Sequence, residues 1–181
     1  MTVIDRLAAG WPAWLGVSGI ALALTGCSNH NDAVALPSSS PSTTSIPSPP
    51  SDEEAVKESY TSFISALDRA DSLPDGSRRQ QLSALMVDPQ LSRVLKRVEE
   101  LRGKNLTSYG KVIVHIVSVD VAGNDATLHD CQDSSEAGIM NRTTRKKIKR
   151  GVEKGRTKTY LIKGADDKWR TSKYVVLGEG C

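Results

Sequence analysis

Histidine is nearly absent. The chain of 181 residues holds three, His30, His115 and His129, which is little from which to build a metal site or an acid–base relay. From Asp52 onward there is no Gly-x-Ser-x-Gly elbow, no His-Glu-x-x-His and no phosphate-binding glycine loop ending in Lys-Ser or Lys-Thr. The local signatures of serine hydrolases, zinc proteases and P-loop enzymes are therefore missing. Cysteine is also sparse, with three in all, and none has a Cys-x-x-Cys neighbour. No metal site and no cofactor are expected. The most basic stretch, residues 142–158, contains no aromatic residue, so it lacks the stacking platforms of single-strand nucleic-acid binding. Nucleic acid is not an expected partner.

What is present begins near the N-terminus. Residues 11–24, from Trp11 to Leu24, are apolar and uncharged, and Leu24-Thr25-Gly26-Cys27 follows at their end. A short apolar core closed by small residues is the layout of a secretory signal, and it is too short for a comfortable transmembrane span. The last four residues resemble the lipobox of bacterial lipoproteins. That resemblance implies cleavage after Gly26, a diacylglyceryl thioether on Cys27, and residence at the extracytoplasmic face of the cell membrane. Two buried acyl chains, at about 0.8 kcal/mol per methylene, hold far more stably than one. A plain membrane-embedded helix is the alternative.

Residues 1–26 are thus read as a signal peptide and residues 27–51 as a tether. From Pro37 to Ser51 the chain is almost wholly Pro, Ser and Thr, a composition that cannot offset the entropy of ordering. Between the flexible-coil and polyproline limits the tether would reach roughly 30 to 80 Å, a cell-wall distance.

Residues 52–181 remain for one domain, enough for a single ordinary core. They keep Cys131 and Cys181. An even pair in an oxidising compartment most simply forms one disulfide; a reactive thiol or a metal ligand is the alternative. The formal charge of +3 conceals an asymmetry, because nine Lys and Arg crowd residues 142–158 against Glu153 alone.

Periodicity divides the domain in two. Ser51-Asp52-Glu53-Glu54 reads as a capping box. The helix after it places Val56, Tyr60, Phe63, Ile64 and Leu67 on one stripe. Residues 71–76 read as a turn, and a short second helix carries Leu82, Leu85 and Met86 inward. A third starts with Asp88 as N-cap and Pro89 at its first position, presents Leu91, Val94, Leu95, Val98 and Leu101, and stops at Gly103. Beyond Lys111 the period becomes two. Val112 to Val121 and Ala126 to Gln132 read as strands around a turn at residues 122–125, and a second hairpin joins Thr157–Lys163 to Trp169–Leu177. One further strand is expected within Ile139–Lys149. Helices first and antiparallel strands after predict an α+β fold, with three N-terminal helices packed on a curved, cone-like antiparallel sheet.

Three leading helices and a meandering sheet resemble the nuclear-transport-factor-2-like superfamily, which includes SnoaL-like polyketide cyclases and ketosteroid isomerases. More narrowly, residues 130–135 (Asp-Cys-Gln-Asp-Ser-Ser), Lys168-Trp169-Arg170 and the terminal Cys181 resemble actinobacterial lipoproteins that join a lipobox and a Ser/Pro/Thr tether to such a domain. The superfamily holds enzymes, ligand binders and inert assembly domains, so the resemblance implies a fold and leaves the reaction open.

Two candidate sites follow from the residues. With Ala122 opposite Asp125, Val117 opposes Asp130 and His115 opposes Gln132. His115 and Asp130 then become diagonal neighbours on the apolar face, a possible general acid and base. A one-residue slip would reverse the faces. Cys131 falls on the opposite face, where the C-terminal tail could meet it. Arg145, Lys146, Lys147, Lys149 and Arg150 form the second candidate, either a solvated edge or a surface for anionic headgroups and wall phosphates. The leading expectation is a binding domain without catalysis, held at the membrane by a lipid anchor, for an envelope protein or a hydrophobic small molecule. The competing one is a small cone-pocket enzyme with isomerase- or cyclase-like chemistry on a hydrophobic ligand.

Overall fold

A computed structural model describes residues 50–181. The signal, Cys27 and nearly all of the tether lie outside the described residues. Helix α1 spans Asp52–Arg69 and opens with the capping box: Glu54 N–H donates to Ser51 Oγ, and the Glu54 carboxylate accepts from Ser51 N–H. Val56, Tyr60, Phe63 and Ile64 are buried on its inner face and Leu67 is half-buried.

A 3-10 turn, Ala70–Ser72, leads to α2, Asp75–Ser83, which starts inside the segment read as a turn. Of the three residues expected on it only Leu82 is helical. Leu85 and Met86 follow, and Met86 forms a bridge with Thr171 of the sheet. Buried Arg78 binds the carbonyls of Ala70 and Leu73 and pairs with Asp75, joining the 3-10 turn to α2. Helix α3 is Gln90–Gly103; its N-cap is Pro89, and Asp88 Oδ1 accepts the N–H of Ser92.

Seven strands follow: β1 Leu106–Tyr109, β2 Ile116–Ala122, β3 Asp125–Gln132, β4 Gly138–Asn141, β5 Lys147–Arg150, β6 Gly155–Lys163 and β7 Trp169–Glu179. They form two antiparallel sheets rather than one. The larger runs β2-β3-β6-β7 and the smaller β1-β4-β5; the bridge Ile113↔Asp133 continues the pairing of β2 with β3 beyond Ile116. Strand β1 has no counterpart in the sequence reading, because Leu-Thr-Ser-Tyr is too short and too polar to show a period. The single strand expected within Ile139–Lys149 is a hairpin, β4 and β5, turning at residues 142–146. Leu82, Leu128, Leu161 and Trp169 close the core between the helices and the larger sheet. Among the described residues no helix is long and apolar enough to cross a membrane.

Candidate functional site

The expected register of the first hairpin holds from Ala122↔Asp125 to Ser118↔His129. It then slips by one residue: Ile116, not Val117, opposes Asp130, and Val117 is the extra residue of a bulge. The consequence is a change of face. Val112, Val114 and Ile116 pack against the core beside Val119 and Val121, while Ile113, His115 and Val117 face outward. Without the bulge the imidazole would be buried and three apolar side chains exposed, the costlier arrangement. The expected pairing of His115 and Asp130 side chains on one apolar face is therefore corrected. What joins them is the backbone: His115 N–H donates to Asp130 Oδ1 at 2.6 Å.

Asp130 itself is fully interior, 2% exposed, and its carboxylate is engaged. Oδ2 accepts from the Tyr60 hydroxyl at 2.8 Å. Tyr60 Oη in turn accepts from Gln132 Nε2 at 2.7 Å, and Gln132 Oε1 accepts from the Tyr174 hydroxyl at 2.7 Å. Phe63 packs edge-on to Tyr174 with ring centroids 5.6 Å apart. These rings and this chain of hydrogen bonds lie in the interior between α1 and the larger sheet. Burial pushes the Tyr60 hydroxyl far above the ordinary tyrosine value, and it pushes Tyr174 up to about 12. Both are thus held neutral as donors. The sequence reading took Tyr60 as one more apolar residue. Its signal was the hydroxyl itself, since a buried tyrosine requires a partner.

Cys131 and Cys181 form a disulfide, with Cα atoms 6.1 Å apart, on the face of β3 opposite Asp130 as expected. Beside it lies a depression of about 630 Å³ whose lining includes Val117, His129, Asp130, Arg156, Thr157 and Leu177. The basic residues do not gather into one cup. Arg145, Lys146, Lys147, Lys149 and Arg150 are exposed on the β4–β5 turn and on β5, which is an edge of the smaller sheet. Lys147 Nζ sits 4.7 Å from the centre of the Tyr109 ring. Arg142 instead turns inward to buried Asp71, 3.6 Å away. Among the described residues no group of three or more His, Cys, Asp or Glu is placed to hold a metal ion.

A groove that the sequence reading missed runs along α3. Its volume is about 340 Å³, at the small end of the roughly 300–1,000 Å³ of ligand sites. Leu67, Val94, Val98, Leu101 and Ile139 supply apolar surface; Gln90 and Arg93 lie in the first turn of the helix and Arg97 near its middle. Reading α3 for its inward stripe alone passed over the polar residues flanking that stripe.

No family model matches the sequence, and no curated protein does. Among solved structures, the intermembrane space region of the chloroplast protein ARC6 is similar, with 15% identity and a TM-score of 0.56 over 72% of this chain and 100% of that one. A ketosteroid isomerase-like protein from Erwinia carotovora atroseptica aligns at 13% identity and a TM-score of 0.47, over 68% of this chain and 92% of that one. A nuclear transport factor 2-like superfamily protein from Salmonella enterica gives 14% identity and a TM-score of 0.47, over 71% and 92%. At these identities the likeness is one of fold alone.

Proposed function

We propose that this chain is a lipid-anchored protein of the extracytoplasmic membrane face, whose nuclear-transport-factor-2-like domain works as a binding module and not as a catalyst. One observation carries the non-catalytic half. The interior carboxylate, Asp130, is occupied by the Tyr60 hydroxyl and the His115 backbone, and the imidazole of His115 lies outside. Asp130 contributes to the lining of the depression beside the disulfide, but an acid–base catalyst needs a group free to exchange a proton with substrate, and both oxygens of this carboxylate are engaged by the fold. The anchoring half is supported by Leu24-Thr25-Gly26-Cys27 and by the Cys131–Cys181 disulfide, a bond that persists in oxidising compartments.

The test has two arms. Cys27→Ser should release the chain from membranes or leave the precursor uncut; retention on membranes at the mature size would overturn the anchor. Mass spectrometry of what co-purifies with the anchored chain addresses the domain. A molecule held in near-stoichiometric amount and recovered unchanged supports a binding module. Conversion of that molecule by the native chain, lost in a folded Asp130→Asn variant, overturns the non-catalytic reading.

A further inference from the structure

We infer that the outer face of the larger sheet, at the depression beside the disulfide, docks on anionic phospholipid, with lipid phosphate at Arg156 and Lys158 and with Val117 and Leu177 in the acyl boundary. The inference rests on the lipid-anchored reading and gives the domain a second contact with the same membrane. Two bulges carry it. Val117 is the extra residue of β2 between Ile116↔Asp130 and Ser118↔His129, and Leu177 is the extra residue of β7 between Arg156↔Gly178 and Thr157↔Val176. These strands are opposite edges of the sheet, yet both residues line one depression. A bulge breaks a ladder and re-aims a side chain. Here each leaves a large aliphatic side chain in water, Val117 69% and Leu177 51% exposed. Single apolar residues on a surface are ordinary; a pair set by irregularities on both edges around one hollow is a shared apolar rim.

The floor between them is cationic. Cys131, Arg156 and Gly178 form one row across β3, β6 and β7, and Ser118, His129, Lys158 and Val175 form the next. Gly178 has no side chain, and a Cβ placed there would lie 3.9 Å from Arg156 Nη2, so one end of the guanidinium lies beside bare backbone. Lys158 Nζ stands 5.0 Å from the centre of the Tyr160 ring. Among the described residues neither Arg156 nor Lys158 has a carboxylate within ion-pair distance. The nearby carboxylates belong to other rows. Glu179 shares its row with Gly155 and buried Gln132, and Asp120 shares its row with Lys173. A phosphodiester offers oxygens to a guanidinium fork and to an ammonium beside it.

The rim decides what carries the phosphate. A free anion at Arg156 would leave Val117 and Leu177 in water. A bilayer surface covers both while its headgroups meet the cations, the combination by which amphipathic surfaces bind anionic membranes. An extended peptide fits less well, because a strand added at β2 or β7 would meet a bulge in place of a regular ladder. The reach of the chain permits the contact. The tether joins the domain at α1, whose Asp52 carboxylate accepts from Lys163 Nζ and Trp169 Nε1, at the end of β6 and the start of β7. From Lys163 back to Arg156 the strand spans about 23 Å at 3.3 Å per residue, less than the roughly 30 to 80 Å expected of the tether.

The experiment is photo-labelling of the full chain in vesicles of phosphatidylcholine with or without phosphatidylglycerol. A tracer phospholipid carries a diazirine in its acyl chain, and peptide mass spectrometry locates the label. Label is expected on residues 113–118 and 175–178 when phosphatidylglycerol is present and about fivefold less without it, the weight of one cation near an anionic surface. Arg156→Gln should cost about the same factor. Val117→Asp with Leu177→Asp should remove the label and leave the melting temperature nearly unchanged, because both positions are exposed. Labelling that ignores phosphatidylglycerol, or that survives these variants, overturns the docking. Label confined to residues 145–150 overturns it in favour of the β4–β5 hairpin. Inorganic phosphate displacing the label at matched ionic strength as well as dihexanoyl phosphatidylglycerol does overturns the lipid in favour of free phosphate. A dimer in detergent that the paired Asp substitutions dissociate assigns the face to a second copy instead. A chain without lipid on Cys27 that is still labelled here overturns the anchor alone, and a lipidated chain with this face unlabelled overturns the docking alone.

Discussion

Tyr60 shows how one hydroxyl organises an interior. It donates to Asp130 and accepts from Gln132, so Tyr60→Phe removes no packing volume but leaves a buried carboxylate oxygen and an amide donor unmatched. The expected loss is about 1–3 kcal/mol, measured as a lowered denaturation midpoint with an unchanged denaturant slope. A loss below a few tenths would mean that water or a neighbour replaces the hydroxyl. Tyr174 carries a pH signature. Its hydroxyl, pushed up to about 12 by burial, titrates near 10 in the unfolded chain. The folded state therefore binds the proton more tightly. That contribution is complete below about pH 10 and is lost as pH rises toward 12. Tyr174→Phe should flatten the fall in stability across that window relative to the native chain, at the cost of a lower plateau at neutral pH. Parallel pH profiles for the two chains would contradict this assignment.

Among the elements, the β4–β5 hairpin departs most from the sequence reading and is the most strongly charged. Its strands approach closely: a Cβ added at Gly138 would lie 2.0 Å from the carbonyl oxygen of Lys149. Gly138→Ala should therefore part β5 from β4, seen as faster amide exchange in residues 147–150 while the core stays protected. The exposed cations of this hairpin act as a summed field. If they dock on anionic lipid, vesicle binding by the Cys27→Ser chain should fall steeply with salt, since exposed charges are screened beyond about 10 Å at 0.1 M. Neutralising Lys146, Lys147 and Lys149 together should weaken that binding and move the melting temperature little, because these are surface positions. Binding indifferent to salt and to the triple change would leave the hairpin as a solvated edge that discourages strand pairing.

For the molecule as a whole, the Cys131–Cys181 bond closes a loop of sequence separation 50 and ties the end of β7 to β3. On the chain-entropy account such a loop stabilises by up to about 4 kcal/mol. Reduction should lower the melting temperature and loosen the C-terminus first, and thiol titration of the unfolded, unreduced chain should find neither cysteine free. Two titratable thiols would remove this constraint from the picture.

The sequence alone determined the parts whose physics is local. The capping box at Ser51, the inward stripes of α1 and α3, the stop at Gly103 and the turn at residues 122–125 each depend on residues within a few positions of one another. The even cysteine pair was legible too, because Cys131 needed only a partner on the outer face of its strand. Tertiary structure decided the rest. The bulge at Val117 follows from a competition across strands, in which turning His115 outward and Val112, Val114 and Ile116 inward outweighs an unbroken ladder. No alternation within β2 itself encodes that outcome. The Tyr60–Asp130–Gln132–Tyr174 chain joins residues up to 114 positions apart in sequence (174 minus 60), and the groove on α3 exists only because β4, inside a hairpin that short charged strands conceal, comes to lie beside that helix. Hydrogen-bond satisfaction and shape are properties of neighbours in space, and for these residues the neighbours are far apart along the chain.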